Sequence, residues 1–137
     1  MRTDRTVVPA EILTEIGIEV LRRSTVKGAR PRSFTLGDRF AESLLALPDR
    51  RRRKTIRALA DVVVGAPGPL AARSDHPFRM AAASTAEPLV RFDGAVARRC
   101  YVERNVAGAL RLHYWCLPDG ALEFAQVSTH NDMGFPG

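Results

Sequence analysis

Along the last third of the chain, side chains able to do chemistry recur at every second position. Arg99, Tyr101 and Glu103 alternate in "RRCYVE", and Arg111, His113 and Trp115 alternate in "LRLHYWC". Glu123 follows in "LEFAQVSTHND", and His130 with Asp132 closes that run. A period of two puts each set on one face of a strand. Guanidiniums pair with phosphate oxygens, rings stack on bases, and an imidazole or a carboxylate moves protons near neutral pH. The pattern therefore predicts a surface that binds RNA. The ordinary alternatives are a cross-strand ion pair between Glu103 and Arg111, a cation–π contact of Arg99 with Trp115, and a His130 bonded only to backbone.

A second cluster is the run Arg50, Arg51, Arg52 and Arg53. It falls in the first turn of an expected helix, where four positive charges oppose the helix dipole and one another. Helix stability does not explain it. It reads either as a patch for phosphate or for an acidic partner, or as a solvated run in a GC-rich gene.

Strands and helices must position these residues. Residues 96 to 104, 109 to 117 and 121 to 129 are expected as an antiparallel meander, with Pro118-Asp119-Gly120 as the last turn and Asp93-Gly94 as an earlier hairpin signal. That register sets Trp115 opposite Glu123, Arg111 opposite Val127, Tyr101 near His113 and Glu103 near Arg111. Cys100, Val102, Leu110, Leu112, Tyr114, Cys116, Leu122 and Phe124 then share the core face, and the polar ring-bearing face stays open. Ile12, Ile16 and Val20 predict a helix over 9–23. Asp38 is expected to cap a helix burying Phe40, Leu44 and Leu47, and Asp49 a second running to Gly65 with Ile56, Leu59, Ala60 and Val63 on its stripe. Residues 65 to 88, rich in Pro, Ala and Ser, read as an irregular connection or mobile loop.

With 137 residues, the chain accommodates one compact domain. Apolar residues make up 45% and charged residues 26%; no apolar run is long enough for a membrane span and no signal-peptide core opens the chain. A soluble cytoplasmic protein without a membrane partner is expected. Cys100 and Cys116 lack metal-ligand spacing, so neither metal nor cofactor is expected. The net charge of +6 comes from nineteen arginines and two lysines against 15 acidic residues, which favours polyanionic partners.

Two helices in "FTLGDRFAESLLALPDRRRRKTIRALADVVVGAP", followed by "LRLHYW" and "DGALEFAQVSTHND", resemble the RelE/ParE superfamily of bacterial toxins over residues 34 to 132. The resemblance implies an α+β fold: a two-helix hairpin on one face of an antiparallel meander, here with an extra N-terminal helix. Residues 1–33 would be that extension and 34–137 the toxin domain. It further implies a type II toxin that enters the ribosome, cleaves mRNA without metal by 2′-OH attack, and is silenced by an acidic antitoxin. Arg111 in "RLHY" and His130 in "STHND" match the arginine and terminal histidine of YoeB-type members. On that reading His130 moves a proton, Arg111 and Arg99 stabilise the phosphorane, and Glu103 and His113 are reserve proton carriers. Tyr101 and Trp115 stack bases, and Arg98 and Arg50 to Arg53 meet phosphates. The lysine set of RelE-type members is absent, and no glutamate matches the YoeB base. Alternatives are a non-enzymatic ParE-like gyrase inhibitor, or a degenerate toxin-like adaptor that only binds a partner.

Overall fold

The computed structural model describes residues 7–78 and 87–129. The fold is α+β, with four helices and an open five-stranded mixed sheet among these residues. The helices are α1 (Ala10–Arg23), α2 (Asp38–Leu45), α3 (Asp49–Val64) and α4 (Pro67–Ala72). The strands are β1 (Phe34–Leu36), β2 (His76–Pro77), β3 (Val96–Tyr101), β4 (Leu110–Cys116) and β5 (Leu122–Thr129), in the order β1-β5-β4-β3-β2. Strands β3 to β5 are antiparallel neighbours, whereas β1 lies parallel to β5 at one edge. The expectation of a purely antiparallel sheet is corrected there. Three residues of alternation, with Thr35 exposed between the half-buried Phe34 and Leu36, are too few to announce a strand.

The apolar stripes find each other. Ile12 and Ile16 of α1, Phe40 and Leu44 of α2, and Ile56, Leu59 and Val63 of α3 join Cys100, Leu110, Leu112, Tyr114, Leu122 and Phe124 in one core. Val102 and Cys116 pack at its margin. This is the alternation assigned to the core face, and burying it supplies the main drive for docking helices on the sheet. Gly37 joins β1 to α2 where only glycine fits, because a Cβ there would stand 2.9 Å from the carbonyl oxygen of Phe124. Its own N–H donates to that oxygen.

Each expected cap lies one residue early. Gly37 and Pro48 are the N-cap residues and carry no side-chain cap bond, so Asp38 and Asp49 sit inside the first turn and act through the dipole. Gly65 ends α3 in the left-handed region at φ 71°. The Arg32 guanidinium donates to the Val62 carbonyl at 3.3 Å, capping the same helix end from the connector.

The stretch expected to be irregular is partly ordered. Pro67 starts α4, as proline favours at a helix's first positions, and His76–Pro77 add an edge strand to β3. Pro77, lacking an N–H, is tolerated because it lies at the edge. The Asp93-Gly94 turn forms: Gly94 donates to the Arg91 carbonyl, Arg91 to that of Ala95, and Val90 bridges Val96.

Candidate anion site on the outer sheet face

Two irregularities decide what the outer face presents. Between His113 and Tyr114 the β4–β5 register shifts: Trp115 still faces Glu123, but His113 faces Gln126 and Arg111 faces Ser128, leaving Ala125 as the extra residue. Arg111 therefore does not oppose Val127, which pairs with Leu112 in the core. The second irregularity ends β3. The N–H groups of Val102 and Glu103 both donate to the Leu110 carbonyl, so two residues oppose one and the chain turns. Tyr101 then pairs with Arg111 and Arg99 with His113, rather than Glu103 with Arg111 and Tyr101 with His113.

The outer face is half closed. Phe78, Ala95, Ala97, Trp115 and Ala125 form a second apolar cluster, with Leu89 and Leu117 beside it. Residues 76–78 and 89–90 run beside β3 at the sheet edge, and the Phe78 and Leu89 side chains pack against the Trp115 cluster, so the expectation of an open face is corrected. Trp115 and His113 are buried, so neither can stack a base or exchange protons with a substrate from this position. His113 meets the edge of the Phe78 ring at 5.8 Å. The cation over Trp115 is Arg91, at 4.9 Å, and Arg91 in turn forks onto Glu123 and Asp93. Arg99 lies over Phe78, at 5.3 Å.

Several other expected site residues are engaged in holding the fold. Glu103 accepts from Arg51 at 2.6 Å, from Lys54 at 3.5 Å and from the Leu110 N–H at 3.1 Å, tying the start of α3 to β4. The hydrogen bond from Arg51 keeps its carboxyl below the usual carboxylate range. It is thus a structural anion on the far side from Arg111. Arg98 points to the helix side and binds Asp75 at 2.7 Å, and Asp75 also accepts from the Tyr114 hydroxyl. Burial, with Asp75 beside it, raises the Tyr114 phenol. Of the arginine run, Arg51 also donates to the Gly108 carbonyl and Arg52 pairs with Asp49 at 2.5 Å. Arg50 and Arg53 remain exposed. His130 lies outside the described residues.

What remains at the open end is a knot of cations around one ring. Arg111 lies 3.9 Å from the Tyr101 ring centroid and donates to its hydroxyl at 2.8 Å. Arg104 lies 4.3 Å from the same centroid and donates to the Ser74 hydroxyl. Tyr101 is thus a mount for guanidiniums more than a free stacking platform. Arg99 stands close enough for Arg111 to repel it: burial first, and then the Arg111 charge, lower its pKa. Among the described residues neither Arg99 nor Arg111 meets a carboxylate, and the Nε of each is buried without a hydrogen-bond partner. Their neighbours Arg91, Arg98 and Arg73 are all ion-paired.

A histidine not singled out by the sequence pattern borders this knot. His76 pairs with Arg99 across β2 and β3, which places it on the same face. Its Nδ1 lies 2.5 Å from the Ser74 carbonyl, which can only accept, so Nδ1 is the donor in that bond. The signal was faint: "DHPF" alternates over only a few residues, contains proline, and sits in a stretch without periodicity. Among the described residues no group of three or more His, Cys, Asp or Glu could hold a metal ion. Both cysteines are free thiols, and burial raises that of Cys100 to about 12. No helix of the described residues is long and apolar enough to cross a membrane. Comparison with known protein families, curated proteins and solved structures finds no match to this chain.

Proposed function

We propose that the protein binds RNA through Arg99, Arg104 and Arg111, and that it is a toxin of RelE/ParE type directed at translated mRNA. The observation that carries the reading is the Arg99–Arg111 pair: two guanidiniums within repulsive reach on neighbouring strands, with no carboxylate beside either among the described residues. A phosphodiester supplies the missing charge and fits the forks of both. Further support comes from the order of the elements, a helical pair α2–α3 followed by β3, β4 and β5, and from the basic balance of the chain. The toxin would be held silent by an acidic antitoxin covering the same cations.

In the cleaving form of this reading, a base removes the 2′-OH proton, the oxygen attacks the adjacent phosphorus, and an acid protonates the leaving 5′-oxygen. Arg99 and Arg111 offset the charge that grows on the phosphorane. His76, on the same face as Arg99, and His130 take the proton-transfer roles. Expression without a partner, followed by mapping of mRNA ends, tests it. Active protein should leave 2′,3′-cyclic phosphates, and Arg111→Ala, His76→Ala and His130→Ala should each abolish them. Intact mRNA in growth-arrested cells would refute cleavage.

One observation favours a second, non-cleaving reading. Burial of His113 and the engagement of Glu103 remove two of the expected proton carriers from the cationic face. A ParE-like inhibitor of DNA gyrase needs no such groups, and DNA breaks with uncut mRNA would decide for it.

A further inference from the structure

Helix α1 carries apolar side chains on two faces. Ile12 and Ile16 turn inward, with Val20 packed beside them. At 100° per residue the opposite arc is formed by Ala10, Leu13, Thr14, Gly17, Ile18 and Leu21, and it bears no charge. Leu13 is 50% exposed, Ile18 46% and Leu21 73%. A contiguous patch of this kind on a charged protein marks an interaction surface.

Its symmetry specifies the occupant. Gly17 lies midway between Leu13 and Leu21, and a Cβ built on it would meet nothing within 4 Å. If a second α1 crosses antiparallel at Gly17, each Leu13 lies over Leu21 of the second copy, and the bare glycine backbones allow close approach. Glu11 and Arg22 lie along one border of the stripe, three turns apart, Glu11 in the first turn and Arg22 in the last. In the antiparallel arrangement like borders meet, so Glu11 faces Arg22 of the second copy, twice by symmetry; in a parallel pair unlike borders meet and this pairing is lost. Arg22 has a side chain 69% exposed, touching Glu19 at 3.2 Å on its own helix, and can reach across. We infer that two copies of this chain associate through an isologous, antiparallel α1–α1 contact centred on Gly17. This surface is separate from the cationic face, so the dimer would leave Arg99 and Arg111 accessible.

Sedimentation equilibrium across a concentration series of the full chain tests the inference. The mass should rise from monomer to dimer, and Leu21→Glu should hold it at the monomer without changing the circular dichroism, or the melting temperature measured at concentrations where wild type is also monomeric. Glu11→Arg and Arg22→Glu alone should each weaken association roughly fivefold or more, and the double reversal should restore it. Gly17→Cys should yield a disulfide-linked dimer under mild oxidation that the wild-type chain does not form. A monomer at every concentration, whether the face is covered by the chain's own N-terminal residues or taken by a different protein, would overturn the proposal. So would a dimer indifferent to Leu21→Glu, or a double reversal that fails to rescue.

Discussion

Arg99 sits where a bound anion would offset the charge of Arg111. It is partly desolvated, lies over Phe78 and is repelled by Arg111. Replacing it removes the repulsion and keeps the apolar stem if methionine is used. Arg99→Met should therefore leave the unfolding free energy within about 0.5 kcal/mol of wild type, or raise it, as read by urea denaturation, while RNA binding falls. Leu112→Ala, one strand away and fully buried in the core, should cost about 2–5 kcal/mol through its cavity. A loss of that size for Arg99→Met would mean that native partners hold the guanidinium in place, contrary to an anion-binding role.

Two carboxylates at the joins between elements account for how the helices are fixed to the sheet. Glu103 links α3 to β4 through Arg51 and the Leu110 N–H, and the hydrogen bond from Arg51 holds its carboxyl below the usual carboxylate range. A depressed folded pKa means stability that is present above the unfolded value and lost as pH falls through the folded one. Glu103→Gln should cost about 1–3 kcal/mol at neutral pH. The gap to wild type should close as pH is lowered from about 5 through the folded pKa, a trend that melting curves would show; a gap independent of pH would refute the ionic link. Asp61 accepts from Arg23 at 2.8 Å and Arg73 at 2.7 Å, pinning both α1 and the end of α4 to α3. Asp61→Asn should accelerate amide exchange in α1 more than in β4, whereas uniform acceleration would count against a local tether.

These joins mark where the sequence stops being legible. The stripes of α1, α2 and α3 and the alternation of residues 110 to 124 named the core, because burial leaves a period of 3.6 or 2 in the letters. The turn at Pro118-Asp119-Gly120 fixed the Trp115–Glu123 pair for the same local reason. Bulges leave no such trace. One at Ala125 and one at Val102–Glu103 moved Arg111, His113 and Glu103 away from their expected neighbours. The cover over Trp115 and His113 comes from Phe78 and Leu89, distant in sequence and in stretches without periodicity, so the closing of that face depended on tertiary packing alone.

For the whole molecule, charge and surface set what can bind. The excess of +6 gives long-range attraction for polyanions, but much of it is already neutralised locally, as at Arg91, Arg98 and Arg51. Among the cations left over, Arg99, Arg104 and Arg111 lie on the sheet and Arg50 and Arg53 on the exposed side of α3, and on the proposed reading a nucleic acid would meet them. An acidic antitoxin would compete for them. The most direct measurement of the central claim is the affinity for single-stranded RNA as a function of salt, compared among wild type, Arg99→Met and Arg111→Ala. Each substitution should weaken binding and flatten the plot of log affinity against log salt by roughly 0.7, the loss of one phosphate contact, while the protein stays folded. Folded variants that bind with wild-type affinity and an unchanged salt slope would contradict the account.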